Sequence, residues 1–343
     1  MLIRKPRIWS LPDAAVTPEQ VYLDRRQLLR TLGLGGLALA GALTGCNCTR
    51  DSATKVDELP RGEVPPTDPA HPEVAQTTWK GLHADLYPVG RNPAYGVPER
   101  AISPEIKATR YNNFYEFTTD KEGVWTKVGA FETRPWTVEI SGLVRNRQLV
   151  DFDALLRRQK LEERVYRFRC VEAWSMTVPW SGFALADLLR AADPLPEAKY
   201  VRFITAKKPT QMPGMAAADW YQWPYYEGLR LDEAMNELTF VATGIYGRPL
   251  PRQNGAPMRL VVPWKYGYKS IKSIVKIELV AQKPATFWND LAPKEYDFWS
   301  NVDPEVSHPR WSQASEKLID SGDRIPTLKW NGYGDYVASL YAG

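Results

Sequence analysis

The sequence predicts an α+β domain with a mixed sheet, and three observations carry that prediction. Its strand candidates are short and are not each followed by a helix, which disfavours a doubly wound parallel sheet. Its helical candidates are shorter than usual, and no internal repeat is visible. Apolar residues make up 44% of the 343, so a substantial core is available.

Taken in chain order, residues 136–141 (WTVEIS) alternate apolar and polar before Gly142, and residues 164–170 alternate up to Cys170. Residues 200–205 (YVRFIT) and 258–262 (MRLVV) are further strand candidates. The clearest is 273–280 (SIVKIELV), although Ile274, Ile277 and Leu279 are only partly in register. Short helices are predicted over 152–159, 183–190 and 231–236. From about residue 281 the chain is polar, aromatic and turn-rich, and is expected to wrap the core.

Composition narrows the function classes. A formal charge of +4 with scattered Lys and Arg gives no basic stripe, so nucleic acid is not an expected partner. The 13 Trp and 17 Tyr suggest aromatic-lined surfaces or pockets. Three cysteines (Cys46, Cys48, Cys170) cannot build a dense disulfide framework, and His71, His83 and His308 form no zinc-like group with them. HExxH, EF-hand, Walker A and GxSxG motifs are absent, as are CxxCH and iron–sulfur spacings.

Residues 24–30 (DRRQLLR) precede an uncharged run of 15 residues, Thr31 to Gly45. That run is shorter than the roughly 20 residues of a spanning helix. Arg25 and Arg26 before it resemble a twin-arginine export signal, with a short anchor helix as the alternative. Leu43-Thr44-Gly45-Cys46 is also similar to a lipoprotein processing site, at which Cys46 becomes an acylated N-terminus. Cleavage nearby to a soluble form is the other outcome. Both place the product outside the cytoplasm. The organisation expected is a signal segment at 1–45, a linker or wrapping arm at 46–80 (rich in Pro, Thr, Asp and Glu) and a catalytic domain at 81–343.

Within the domain, YRFRCVEAWSMTVPW at 166–180 sets Cys170 among charged and aromatic residues. From composition alone it is either an inert core thiol or a ligand. The stretch resembles the cysteine motif of the sulfite oxidase-like molybdenum enzymes. It does so together with YNNFYEF (111–117), PWTVEISG (135–142), QMPG (211–214), EGLRLDEAM (227–235), QNGAP (253–257), RLVVPWKYGYKSIKSIV (259–275) and HPRWSQA (308–314). Within that family the match is to members that reduce methionine sulfoxide in exported proteins, and it covers the chain from about Ala108 onward.

The resemblance implies a mixed α+β molybdopterin-binding fold and one molybdenum held by one molybdopterin and by the Cys170 thiolate. A soft ionised sulfur suits such a centre; Arg167 and Arg169 would lower the thiol pKa or bind cofactor anions, or else strand alternation points them away from the sulfur. The pterin would be held by Asn112, Tyr115, Glu116, Thr205 and Asn254. Arg259 would pair with its phosphate, with Ser270, Ile271 and Lys272 completing the anion pocket. Asn254 and Gly255 are otherwise turn residues, and Lys265, Lys269 and Lys272 otherwise a solvated cluster. Glu172 would shape or protonate the metal pocket, or else form a salt bridge to an arginine. Trp174, Trp223, Trp264, Tyr266 and Tyr268 are wall candidates or ordinary packing.

The expected reaction is two-electron reduction of methionine sulfoxide in oxidised periplasmic proteins. With no haem motif in the chain, electrons would come from a haem-containing, quinol-linked membrane subunit. The periplasm is the expected compartment, with membrane association through that subunit or an acylated Cys46. The rivals are a sulfite dehydrogenase, whose dianionic substrate calls for an arginine-rich pocket, and a non-enzymatic exported binding or scaffold protein.

Overall fold

The computed structural model describes His83 and residues 85–342. The predicted signal segment, Cys46, Cys48 and the arm at 46–80 lie outside the described residues. Strands in chain order are β1 (Thr137–Gly142), β2 (Gln148–Asp151), β3 (Glu162–Arg169), β4 (Trp174–Ala184), β5 (Tyr200–Thr205) and β6 (Tyr226–Arg230). There follow β7 (Phe240–Ile245), β8 (Arg248–Pro249), β9 (Arg259–Val261), β10 (Ile274–Val280), β11 (Ser315–Leu318) and β12 (Arg324–Pro326).

They form two sheets. One runs in the order β2-β1-β10-β5-β6, with β1 parallel to β10 and the other pairs antiparallel. The other is built on the long strand β4, flanked by β3, β7 and β11, with β9 beside β7. Helices are short: α1 (Glu105–Arg110), α2 (Phe152–Arg158), α3 (Leu185–Ala192), α4 (Pro213–Ala217), α5 (Leu231–Met235), α6 (Phe287–Leu291) and α7 (Gly334–Val337). Among the described residues no helix is long and apolar enough to cross a membrane.

Local chemistry explains several boundaries. Asp151 caps α2 by accepting from Ala154 N at 3.0 Å, and Arg157 and Arg158 sit in its last turn, where the helix dipole favours cations. In α3, Leu185, Ala186, Leu188, Leu189 and Ala192 bury one face, and the helix stops at Asp193 in the left-handed region.

The predicted helix at 183–190 starts two residues late, because Phe183 and Ala184 still pair with Val241 and Phe240 of β7. β4, β6 and β7 carry little alternation: β4 is buried along all but its last residue and β7 throughout. Pro179 and Gly182 inside β4 argue against a strand locally, yet both pair across to β3. The segment after 281 does wrap the core, and β11 joins the second sheet beside Trp174 and Ser175.

Candidate active site

Strand β3 is buried from its second residue, so its arginines must find partners inside the protein. Arg167 pairs with Glu99 and donates to the Asn331 carbonyl at 2.9 Å. Arg169, fully buried, meets Glu316 at 3.1 Å, Gln313 at 2.8 Å and Thr327 at 3.2 Å. The sequence-based expectation that these two bind cofactor anions is therefore corrected: both are committed to protein partners.

Past Arg169 the chain turns at Cys170. Ala173 N donates to the Cys170 carbonyl at 3.0 Å, Cys170 N donates to Trp174 O at 2.9 Å, and Ala173 takes φ +65° to close the turn. The turn leaves the Cys170 side chain on a cleft of about 860 Å³, its open mouth included. Burial pushes the thiol up to about 12; the Glu172 carboxylate adds to the shift, and the Glu172 N–H, then Arg169 and Lys121, only partly oppose it.

Of the residues expected at the cofactor, Asn112, Tyr115, Glu116, Cys170, Asn254, Arg259, Ser270, Ile271 and Lys272 all line this cleft, as does Glu172. Thr205 does not. It stands behind the wall, where its hydroxyl donates to the Lys272 carbonyl at 2.7 Å. Ser270 N is already given to the Gly267 carbonyl at 3.1 Å, so that amide is not available to an anion. Of the aromatic candidates, Trp174 and Tyr268 line the cleft. Trp264 bonds Tyr341 instead, Tyr266 faces Arg169, and Trp223 stacks on Phe287 with ring centres 5.2 Å apart. Lys265 and Lys269 are neither solvated nor in the cleft: they form buried pairs with Glu233 at 2.6 Å and Glu227 at 2.7 Å.

The charge balance of the inner wall points to an anion. Arg259 is 2% exposed, and among the described residues its guanidinium donates only to the carbonyls of Asn254, Ser270 and Leu260, at 3.1, 3.0 and 3.3 Å. Burial draws it down to about 9. The Lys272 ammonium, bonded to the Asn113 carbonyl at 2.7 Å, is pushed down to about 7 by burial first and by Arg259 next. Burial raises the nearby Glu116 carboxyl to about 7, so its neutralising charge is weakened too.

Polar atoms here also lack partners: both amide atoms of Asn112, Oδ1 of Asn113 and of Asn254, and Nε1 of Trp174. Buried groups of this kind cost stability unless a ligand satisfies them. Backbone constraints set the wall. Gly255 takes φ +99° with Lys272 against it, and a Cβ on Gly214 would collide with the Tyr115 carbonyl.

Toward solvent the cleft is aromatic. Tyr115 meets Trp288 at 5.3 Å and Trp288 meets Tyr296 at 5.2 Å between ring centres. Glu172 is bound there by Lys121 at 2.9 Å and by Asn113 Nδ2 at 3.1 Å, so its salt-bridge partner is a lysine rather than an arginine. Asn113, Tyr225, Trp288 and Tyr296 are wall residues that sequence reasoning did not single out. Asn113 was within reach, since it neighbours Asn112 in YNNFYEF, whereas the other three arrive by tertiary packing.

Residues 125–288 match the family model described as an oxidoreductase molybdopterin binding domain. The "Protein-methionine-sulfoxide reductase catalytic subunit MsrP" of Burkholderia mallei is 48% identical over 97% of this chain and 94% of its own length. That of Pseudomonas syringae pv. tomato is 46% identical over 100% of this chain and 98% of its own. The chain belongs to the protein-methionine-sulfoxide reductase catalytic subunit family. Among solved structures, the sulfane dehydrogenase SoxCD from Paracoccus pantotrophus matches with a TM-score of 0.39 at 18% identity, over 64% of this chain and 57% of that one.

The site fits the family's molybdenum–pterin cofactor on its own chemistry. Buried cations and unpartnered amides suit an anionic, polar ligand. Among the described residues no three His, Cys, Asp or Glu gather into a metal cage, so Cys170 would need donors that the pterin brings.

Proposed function

We propose that this protein reduces methionine sulfoxide residues in exported proteins, with one molybdenum on one molybdopterin ligated by the Cys170 thiolate. The observation that carries this reading is the cleft that joins Cys170 to the buried, acid-poor pair Arg259 and Lys272. Overall, a sulfoxide plus two electrons and two protons gives a thioether and water. The bound cofactor supplies the two-electron oxygen-accepting chemistry.

The chain supplies the rest. Arg259 and Lys272 hold the phosphate end, and Asn112, Asn254, Tyr115 and Glu116 orient the pterin, with Ser270 and Ile271 shaping the pocket and Thr205 bracing Lys272 from behind. Tyr115, Trp288 and Tyr296 receive the methionine sulfoxide side chain and keep water from it. Glu172, ion-paired with Lys121 and held by Asn113, would shape the polar side of the metal pocket. A neutral sulfoxide suits this aromatic rim better than the sulfite dianion does.

Cofactor insertion before export matches the twin-arginine-like segment, since that route carries folded proteins, and it sets the enzyme in the periplasm. With no haem or iron–sulfur motif in the sequence, the electrons come from a haem-containing, quinol-linked membrane subunit. An acylated Cys46 would keep the enzyme near that donor.

The test is oxidation of a reduced viologen dye on addition of methionine-sulfoxide-containing protein, beside sulfite offered with an artificial acceptor. Dye oxidation in the wild type, its loss in Cys170→Ala along with bound molybdenum, and no sulfite turnover are expected. Sulfite turnover alone would overturn the reductase reading and leave the cofactor assignment standing.

A further inference from the structure

The segment HPRWSQA at 308–314 contributes nothing to the cleft wall, yet two of its side chains end on the loop that carries Cys170. Trp311 Nε1 donates to the Val171 carbonyl at 2.7 Å, and Gln313 Nε2 donates to the same oxygen at 2.8 Å. Gln313 is 1% exposed, and its Oε1 accepts from Arg169 at 2.8 Å. The Trp311 ring is fixed in turn by stacking on His308, with ring centres 3.7 Å apart and planes 9° apart. The turn at Cys170 is already closed by two backbone bonds, so two further donors on one carbonyl exceed what closure requires.

Val171 C=O and Glu172 N–H belong to one peptide unit, and in a planar trans peptide they point in opposite directions. Holding the oxygen on the side of Trp311 and Gln313 therefore turns the N–H the other way. There Glu172 N lies 3.5 Å from Cys170 Sγ. An N–H directed at a thiolate stabilises charge on sulfur and weakens its donation to a metal, which raises the potential of the centre.

We infer that Trp311 and Gln313 are positioning residues that lock the Val171–Glu172 peptide so that its N–H stays on the Cys170 sulfur and tunes that thiolate as a ligand. The tuning rests on the reading of Cys170 as the metal ligand; the lock does not.

The variants are Trp311→Phe, which keeps the ring that stacks on His308, Gln313→Leu, and the two combined. In cofactor-free protein, amide-resolved hydrogen exchange at Glu172 should quicken by about fivefold in the double variant and less in either single one. The Phe168 amide of β3 serves as the internal reference and should stay unchanged. In loaded protein the midpoint potential of the molybdenum couple should fall, and the g values of its Mo(V) signal should move.

An unchanged Glu172 exchange rate overturns the lock. Faster exchange throughout β3 and β4, with a lower melting temperature and an unmoved potential, means a role in folding only and also overturns the proposal. A Cys170→Ala protein that still holds molybdenum with unmoved Mo(V) g values defeats the ligand reading, and with it the tuning, independently of the exchange result.

Discussion

Arg259 shows what one residue costs and gains at this site. Its side chain is buried against Phe168 and Trp180, with carbonyls for partners and no carboxylate. A buried charge with no charged partner carries a desolvation penalty of roughly several kcal/mol, which neutral carbonyl bonds offset only in part. Arg259→Met should therefore raise the denaturant midpoint of the cofactor-free protein while abolishing retention of the pterin, as metal and pterin analysis would show. A midpoint that falls would mean that the carbonyl cage already offsets the burial. His308 gives the pH counterpart. Burial holds its imidazole below the ordinary value, Glu295 pulls it back and Arg310 lowers it further. The unfolded chain then binds this proton more readily than the folded one, so stability is lost as pH falls below about 6.5. In melting curves between about pH 7 and 5, His308→Gln should flatten that decline; an unchanged slope would exclude this histidine as its source.

At the scale of elements, buried ion pairs fasten the loops around the cleft. Lys265 Nζ bridges Glu233 of α5 to the Trp299 carbonyl and to Asn301 at 2.6, 2.8 and 2.8 Å. Removing one member leaves the other charge buried and uncompensated, at about 3–5 kcal/mol. Lys265→Met should thus lower stability by that order in equilibrium unfolding, although it touches no wall residue directly. The elements themselves were unequally legible. β5 was read with its exact limits, and β1, β3, β9 and β10 to within two residues, because 200–205 and its like still alternate. β4 and β7 were missed because WSMTVPWSGFA and FVATGI do not alternate apolar and polar, whereas the equally buried β3 keeps arginines that mark a pattern.

For the whole molecule, the C-terminal segment reaches back into the body of the fold. Tyr333 OH accepts from Arg167 N at 2.9 Å, and Tyr341 OH accepts from Trp264 Nε1 at 2.9 Å. Ending the chain after Gly332 orphans both buried donors, at about 1–3 kcal/mol each. A melting temperature lower by at least about 4 °C is expected in calorimetry. No change would mean that water replaces both tyrosines.

By itself, the sequence determined the local and the chemically rare features of this protein. These are the alternating strands, the lone Cys170 in its motif, and the asparagines, Arg259 and Lys272 that share its cleft. Motifs of fixed order and spacing keep such residues recognisable before they meet in space. Tertiary structure alone decided which basic residues the protein consumes internally. Arg167, Arg169, Lys265 and Lys269 look no different in sequence from Arg259 and Lys272, yet each of the four finds a carboxylate. It also decided that Thr205 stands behind the wall and that residues 311 and 313 close over Val171. The physical reason is that a partner about 140 residues away along the chain leaves no periodicity or local motif to read.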